Sequence, residues 1–289
     1  MHMQLDIALG ERLRSLFPRG QPNETAFRKM VAALNTKYDV GLPSWIFGYA
    51  DDQTVLSDRF PSVSFGLNRD SLRLSAIGQD ACEVLTQRGY LLQAALIREL
   101  QCPVQVVDRS GEHALSYSRM PLRYYMRRLV VGKTRVDSYW WRSASTNNGQ
   151  WSENAKFRLA HLLGNALWEQ ACFLMDQGDE LGGDIGEWLE SMVGSEDPRT
   201  NWTLRSQFKL RLGIECVAVG DGHTAVRSTG TQGLRVMLRD VDFTAKADIQ
   251  GLWWAGRGRI EGCGLLQRSR RTDIRRLALA GENTEADPS

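Results

Sequence analysis

The sequence predicts an α+β protein with two domains of the same kind in tandem. Three observations support this prediction. The chain has 289 residues, which is long for one small domain and sufficient for two that each bury a core. Its first part alternates strand-like and helix-like patterns in the order strand, helix, strand, strand, helix, strand. Its second part shows strand-like alternation after a long helical stretch.

The first two elements follow from local patterning. Residues 4–9 alternate polar and apolar side chains, which is typical of a short strand with one buried face. Asn23 is placed to cap a helix that begins with Glu24. The apolar positions of that helix are spaced i, i+3, i+4, i+7: Phe27, Met30, Val31 and Leu34. Gly41 and Pro43 end it.

The remaining elements of the first part complete a known pattern. Residues 44–50 and 62–77 are predicted strands, the second broken near Asn68, and a helix is predicted over 79–99. A strand follows at 104–108. This order is the ferredoxin-like arrangement that also underlies RNA-recognition (RRM-like) domains. We therefore expect an N-terminal ferredoxin-like domain over residues 1–110.

The second predicted domain, residues 111–280, is also ferredoxin-like but carries additions. Its parts are a basic segment at 119–142, a helical insertion at about 152–198, strand-like stretches at 201–219 and 234–249, and a C-terminal glycine-rich loop. A polar tail over residues 281–289 is expected to be disordered.

Charge is strongly segregated although the formal net charge is only +2. Residues 119–142 hold seven cations and one acid, and residues 257–276 hold seven arginines and two acids. Residues 169–197 hold nine acids and no base. Only six of the 36 cationic residues are lysine, and arginine presents a planar fork of donors that matches phosphate oxygens. The two basic segments therefore favour an anionic partner.

The basic segment 119–142 combines cations with aromatic rings. Cations neutralise phosphates, and aromatic faces stack on unpaired bases. In the alternative interpretation the segment is an exposed amphipathic hairpin whose aromatic residues belong to the core. The candidate RNA-binding residues are Arg119, Arg123, Arg127, Arg128, Lys133, Arg135 and Arg142, with Tyr124 and Trp141 as stacking candidates.

The most specific motif is the segment Gly256–Gly264, GRGRIEGCG. Four alternating glycines exclude a helix, permit close approach to another backbone, and offer N–H groups to phosphate. The predicted RNA-binding residues here are Gly256, Arg257, Gly258 and Arg259, with Arg268 in the basic region that follows.

This segment resembles the C-terminal glycine-rich signature of the repeat-associated RNA-binding (RAMP) superfamily of CRISPR systems. The resemblance is closest to the endonucleases that cut precursor CRISPR RNA, and the acidic helical insertion resembles the divergent processing endonuclease of type IV systems. The resemblance implies two ferredoxin-like domains over most of the chain. It also implies cleavage of repeat RNA by attack of a ribose 2′-hydroxyl, a 2′,3′-cyclic phosphate product that stays bound, and no metal or other cofactor.

Such chemistry needs a base, an acid and cations at the phosphorane. Many relatives place a histidine near the end of the first helix, where this chain has Asn35-Thr36-Lys37-Tyr38. Arginine is too basic to accept the proton, so we expect catalysis chiefly by positioning and charge. The candidate catalytic residues are Arg28, Lys37, Tyr38 and His223, the last in a glycine-bounded loop.

Bulk features limit the remaining choices. Five widely spaced cysteines, with no C-x-x-C pair, argue against a disulfide framework or a zinc site. No stretch reaches the roughly 20 apolar residues of a membrane span, so a cytoplasmic protein is expected. The expected partner is CRISPR repeat RNA, and other subunits of a CRISPR effector complex are further candidate partners. The alternatives are a non-catalytic guide-RNA-binding subunit and a protein-binding module for which RNA is incidental.

Overall fold

Two antiparallel sheets, each packed against helices, make up the structure, a computed structural model. It describes residues 1–9, 17, 23–49, 62–68, 71–132, 137, 140–141, 143–144, 151–193, 197–220, 223–227, 234–261 and 263–269.

The first sheet contains four strands in the order β2-β3-β1-β4, all antiparallel. Its elements are β1 (His2–Ala8), α1 (Glu24–Tyr38), β2 (Val63–Asn68), β3 (Ser71–Ile77), α2 (Gln79–Leu100) and β4 (Gln105–Gly111). The chain order is therefore strand, helix, strand, strand, helix, strand. The break near Asn68 and the long second helix occur where the sequence predicts them.

Helix α1 begins and ends as its sequence predicts. The side chain of Asn23 accepts a hydrogen bond from the Ala26 N–H at 2.8 Å, which satisfies an otherwise free amide of the first turn. Phe27, Val31 and Leu34 are buried, so the apolar stripe faces the first core. The helix ends at Asp39, which has a left-handed backbone conformation.

The predicted strand at 44–50 is wrong. Ser44–Phe47 form a 3-10 turn between Pro43 and Gly48, whose φ of 82° ends it. Adjacent residues Ile46 and Phe47 are both buried in the first core, which a strand with one buried face does not allow. The strand count of the first half is unchanged because residues 62–77 supply two strands.

The second sheet has the order β6-β8-β5-β9, and β7 also pairs with β8. Its strands are β5 (Ala114–Val131), β6 (Glu215–Val219), β7 (His223–Arg227), β8 (Leu234–Gln250) and β9 (Gln267–Arg268). The long β5–β8 pair carries a register shift between Tyr117 and Leu122. The Arg119 side chain, inside that irregularity, is exposed.

Three helices lie between β5 and β6 in the chain: α3 (Glu153–Asp176), α4 (Asp184–Met192) and α5 (Trp202–Leu212). The prediction of strand-like structure for residues 201–212 is wrong. Asn201 caps α5 by accepting from the Leu204 N–H at 2.9 Å. The buried residues Leu204, Phe208 and Leu212 are spaced by four, which is a helical period.

Each sheet has its own apolar core, and α1 and α2 belong to the first one. His113, just before β5, is fully buried where the halves meet, with its ring 5.1 Å from that of His2 and 5.4 Å from that of Trp253. Burial lowers the pKa of His113 to about 3. Among the described helices, none is both long and apolar enough to cross a bilayer.

Candidate functional site

The glycine-rich segment Gly256–Gly264 lies along the end of β5. The Arg257 N–H donates to the Val130 carbonyl at 2.8 Å, and the Gly264 N–H donates to the Arg128 carbonyl at 2.6 Å. The Cys263 N–H donates to the Gly258 carbonyl. The expectation that the glycine N–H groups of this loop are free for phosphate is therefore wrong for Gly264. Its amide and those of Arg257 and Cys263 hold the loop in place.

Glycine is required at two positions because the loop touches neighbouring backbone. A Cβ atom on Gly264 would lie 1.8 Å from the Ala255 carbonyl oxygen, and the φ of Gly264 is 77°. A Cβ atom on Gly256 would lie 2.6 Å from the Val130 carbonyl oxygen, and φ there is 73°. Close backbone approach, predicted from the alternating glycines, therefore describes these two positions.

The tip of the same segment docks on the first half of the chain. Arg259–Glu261 form a 3-10 turn, and Ile260 packs against the first core. A Cβ atom on Gly48 would lie 2.8 Å from Ile260 Cδ1, so that turn is in direct contact with the loop. The guanidinium of Arg28 lies 6.0 Å from the ring centroid of Tyr49, the residue that follows Gly48. Of the candidate catalytic residues on α1, Arg28 is thus the one beside the loop.

A cleft opens between the two halves next to this contact. Its volume is about 320 Å³. The first half contributes Ser64, Gly66, Leu67, Arg73 and Ser75, and the second contributes Arg127, Arg128, Leu265 and Gln267. Three arginines therefore line one small space, which favours an anionic occupant.

The three cleft arginines differ in their partners. Arg73 makes two hydrogen bonds to the carboxylate of Asp6, at 2.6 and 3.1 Å. Arg128 forms an ion pair with Glu24 in the first turn of α1, which ties the second half to the first. Arg127 is exposed, and within the described residues it has no carboxylate partner. Among the described residues, no carboxylate therefore competes with a ligand for its donors.

Other predicted cations on the second sheet are already paired. Arg123 makes two hydrogen bonds to Asp242, at 3.0 and 2.7 Å, with both side chains 17% exposed. Arg268 contacts Asp248 at 3.1 Å and is half exposed. A phosphate contact by either residue has to compete with a carboxylate.

Two predicted stacking residues are core residues. Tyr124 is 1% exposed; its hydroxyl donates to the Ala247 carbonyl and accepts from the Ile249 N–H at 2.7 Å. Burial raises the pKa of Tyr124 to about 12. Trp141 is also 1% exposed and packs against its aromatic neighbours. The prediction that these rings stack on bases is wrong, and the hydrophobic-core alternative describes them.

Lys37 and Tyr38 lie at the other end of α1 from Glu24, about 20 Å away at 1.5 Å per residue. Both contact Glu99, at 2.6 Å from Lys37 Nζ and 2.9 Å from the Tyr38 hydroxyl. The hydrogen bond to Glu99 raises the pKa of Lys37 and keeps it protonated. The structure does not bring these two candidates to the glycine-rich loop.

Arg259, a predicted RNA-binding residue, is largely buried against α3. Its guanidinium side chain is 12% exposed and lies 3.5 Å from Glu169 of α3. Burial lowers the pKa of Arg259, and the adjacent carboxylate partly offsets this effect. Arg259 therefore anchors the loop to α3, whereas Arg257 beside it is partly exposed.

The remaining candidates are not all described. The backbone of His223 belongs to β7, which is separated from the Arg257 backbone by β8 and β5, that is, by three strand spacings or about 14 Å. The side chain of His223 lies outside the described residues. Lys133, Arg135, Arg142 and the tail 281–289 also lie outside them. Across the described part of the chain, no three His, Cys, Asp or Glu residues are grouped to hold a metal ion.

Sequence reasoning missed the contribution of the first sheet to the cleft. Arg73 and Ser75 alternate with buried Leu72 and Leu74 on β3, so they face away from the first core. Ser64 and Ser75 pair across β2 and β3 and are nearly fully buried. The available signal in the sequence was the small serines on the face of β2 and β3 opposite the core. They leave room for the second half of the chain to cover this face.

Comparison with known proteins identifies relatives of this arrangement. Residues 11–270 match the family model described as type IV CRISPR-associated endonuclease Csf5. A solved type IV Cas6 crRNA endonuclease, Csf5, is 16% identical, with a TM-score of 0.51 over 93% of this chain and 99% of that one. A Cas6b crystal structure is 12% identical, with a TM-score of 0.53 over 93% of this chain and 100% of the other. These two structures establish a common fold. No curated protein sequence matches the chain.

Proposed function

The chain belongs to the type IV CRISPR-associated endonuclease family of Csf5, as its resemblance to the processing endonucleases predicted, and we propose that it cuts CRISPR repeat RNA into mature guide RNAs. The observation that carries the proposal is the arginine-lined cleft beside the docked glycine-rich loop. Arg127 is exposed there without a carboxylate partner among the described residues. Arg257 lies within the loop, and Arg28 lies 6.0 Å from the ring of Tyr49, beside the turn that the loop contacts.

The proposed reaction needs no water and no metal. The ribose 2′-oxygen attacks the adjacent phosphorus, the bond from phosphorus to the 5′-oxygen breaks, and a 2′,3′-cyclic phosphate and a 5′-hydroxyl result. The proton lost by the 2′-hydroxyl is balanced by the proton that the departing 5′-oxygen gains. Arginines at the phosphate stabilise the charge that develops on its oxygens.

The roles of individual residues follow from their positions. Arg127 and Arg257 are proposed to hold the scissile phosphate, and Arg28 to approach it from α1. Arginine stays protonated, with a pKa above about 12, and so contributes charge and geometry and accepts no proton. Positioning without a strong base predicts slow turnover, and the many cationic contacts predict that the product stays bound.

We also propose that both halves are ferredoxin-like domains, divided between Gly111 and Ala114. The strand order β2-β3-β1-β4 with two crossing helices supports this assignment for the first half. For the second half, the support is the antiparallel β6-β8-β5-β9 sheet, with α3, α4 and α5 inserted between β5 and β6. The arrangement places the cleft between two sheets.

The test is cleavage of a labelled repeat transcript by the purified protein in EDTA. The expected result is a shortened RNA with a cyclic phosphate end, and no cleavage of RNA with a single 2′-deoxy substitution at the cut site. Arg127→Gln should slow single-turnover cleavage at least tenfold (about 1.4 kcal/mol), whereas Arg109→Gln, on the exposed edge strand β4, should not. Cleavage of the 2′-deoxy substrate, or its abolition by EDTA, overturns the proposed chemistry.

A second function is a non-catalytic subunit that binds guide RNA. It is favoured by one observation: among the described side chains, no histidine lies beside the glycine-rich loop to act as a base. Tight binding of the repeat without cleavage under any metal condition would support this alternative. A protein-binding role in which RNA is incidental predicts RNA binding that hardly changes with salt.

A further inference from the structure

Outside the cleft, α3 and α5 present four polar residues that face one another. His161 and Asn165 are four residues apart on α3, and Arg205 and Lys209 are four residues apart on α5. Arg205 Nε donates to Asn165 Oδ1 at 3.0 Å. A Cβ atom on Gly164 would lie 2.9 Å from Lys209 Cγ, so the lysine stem crosses the α3 backbone. We call these four residues the helix quartet.

The helix quartet has positive charge that no carboxylate offsets within the described structure. Helix α5 contains three cations and no acid. The three acids of α3 are paired elsewhere: Glu153 with Lys156, Glu169 with Arg259, and Asp176 with Arg199. Burial, and then the charges of Lys209 and Arg205, lower the pKa of His161. Burial and Arg205 likewise lower the pKa of Lys209.

Exposed rings stand on either side of the helix quartet. Trp202 is 74% exposed, and the Arg205 guanidinium lies 5.4 Å from its ring centroid. Phe157, one turn before His161 on the same side of α3, is 73% exposed. Cations without a carboxylate partner in the described part of the chain, next to exposed aromatic rings, match a nucleic-acid strand, because phosphates bind the cations and bases stack on the rings. An acidic protein segment would pair with the cations but would leave the aromatic rings without a stacking partner.

The helix quartet is also connected to the cleft. Asn165 precedes Glu169 by one helical turn, about 6 Å along α3, and Glu169 holds Arg259 of the glycine-rich loop. This face of α3 is therefore about one helical turn from the residue that contacts the glycine-rich loop.

We propose that the helix quartet is a second RNA-contact site, which holds backbone phosphates of the RNA segment that extends beyond the cleft. This inference rests on the proposed function, because the RNA is the one bound at the cleft. The site contributes to affinity and takes no part in cleavage.

The experiment compares the wild type with the double variant Arg205→Gln/Lys209→Gln. The control is Arg211→Gln, which removes a cation from the same helix. The guanidinium of Arg211 lies over Trp188, 4.1 Å from its ring centroid. The probe is a labelled repeat hairpin with single-stranded extensions on both sides. The double variant should bind about tenfold more weakly, and the slope of log affinity against log salt should fall by about 1.5. Arg211→Gln should change neither quantity, and thermal unfolding should show all three proteins folded.

The outcomes separate the two proposals. If the wild type cuts the repeat but the double variant binds it with wild-type affinity and salt slope, the helix quartet is not an RNA site. If the double variant also loses its single-turnover cleavage rate at saturating protein, the separation of affinity from cleavage is wrong. If the wild type neither cuts nor binds the repeat, the proposed function itself fails.

Discussion

Substitution of Gly264 by alanine tests whether the close approach of the glycine-rich loop to its neighbour is essential. Gly264 has a φ of 77°, and a Cβ atom there would meet the Ala255 carbonyl oxygen at 1.8 Å. Gly178, in the turn after α3, provides a matched control because its φ is 76° and a Cβ atom there meets nothing within 4 Å. The two substitutions share the backbone penalty and differ in the collision.

The structure sets the expected sizes of both effects. A non-glycine residue in the left-handed region costs about 1–2 kcal/mol, which is the whole effect expected for Gly178→Ala. At Gly264 the loop must also move by about 1 Å or more, which disrupts the hydrogen bonds from Ala255 to Gly264 and from Gly264 to Arg128. Leaving such buried groups unpaired costs about 1–3 kcal/mol each, for a total with the backbone penalty of about 3–8 kcal/mol.

The measurements are thermal unfolding and single-turnover cleavage of repeat RNA. At about 2–4 °C per kcal/mol, Gly178→Ala should lower Tm by about 5 °C and Gly264→Ala by 10 °C or more. Only Gly264→Ala should also reduce cleavage at a temperature where both variants are folded. Equal losses of Tm, with wild-type cleavage in both variants, would refute the role given to this contact.

Three further predictions concern single side chains. Tyr124→Phe removes a hydroxyl with two buried partners and should lower the free energy of unfolding by about 1–3 kcal/mol without changing RNA affinity; an affinity loss at unchanged stability would restore the stacking role. Lys37→Met should leave the cleavage rate within about twofold of wild type, because Lys37 contacts Glu99 far from the loop; a tenfold loss would place it back in the active site. The pKa of His113, about 3 in the folded protein, is below that of the unfolded chain, so folding favours the neutral ring and stability is lost as pH falls from about 6.5 toward 3. The stability difference between wild type and His113→Asn should therefore shrink by up to about 1.4 kcal/mol per pH unit in that window, and a constant difference in chemical denaturation would contradict this.

Elements with one clear period were predictable from the sequence. Asn23 caps α1 and the stripe of Phe27 and Val31 faces the core, because a short polar cap and a helical spacing act locally. The prediction for the residues of α5 was wrong because exposed Trp202 and Leu210 and buried Leu204 all stand at even-numbered positions. They create a false two-residue period. The false period arises because large apolar residues lie on the exposed face of this helix.

The sequence predicts which types of residue form the candidate site better than it predicts which individual residues belong to it. Clustered arginines and alternating glycines indicated a phosphate-binding surface near a close backbone contact. Whether an arginine is available to a phosphate, however, depends on acids distant in sequence. Arg123 pairs with Asp242 and Arg128 pairs with Glu24. Arg127, on the same strand, has no such partner within the described structure. A linear pattern does not contain those pairings, because tertiary structure creates them.

The packing of Ile260 against the first core has a consequence for how the protein is made. A ribosome adds about 5–20 residues per second, so the first half spends on the order of ten seconds outside the ribosome before the residue that completes its packing is synthesised. During that interval neither the cleft nor the loop that borders it exists. A growing polypeptide therefore acquires the cleft and its bordering loop together, and only after residues 256–264 have been synthesised.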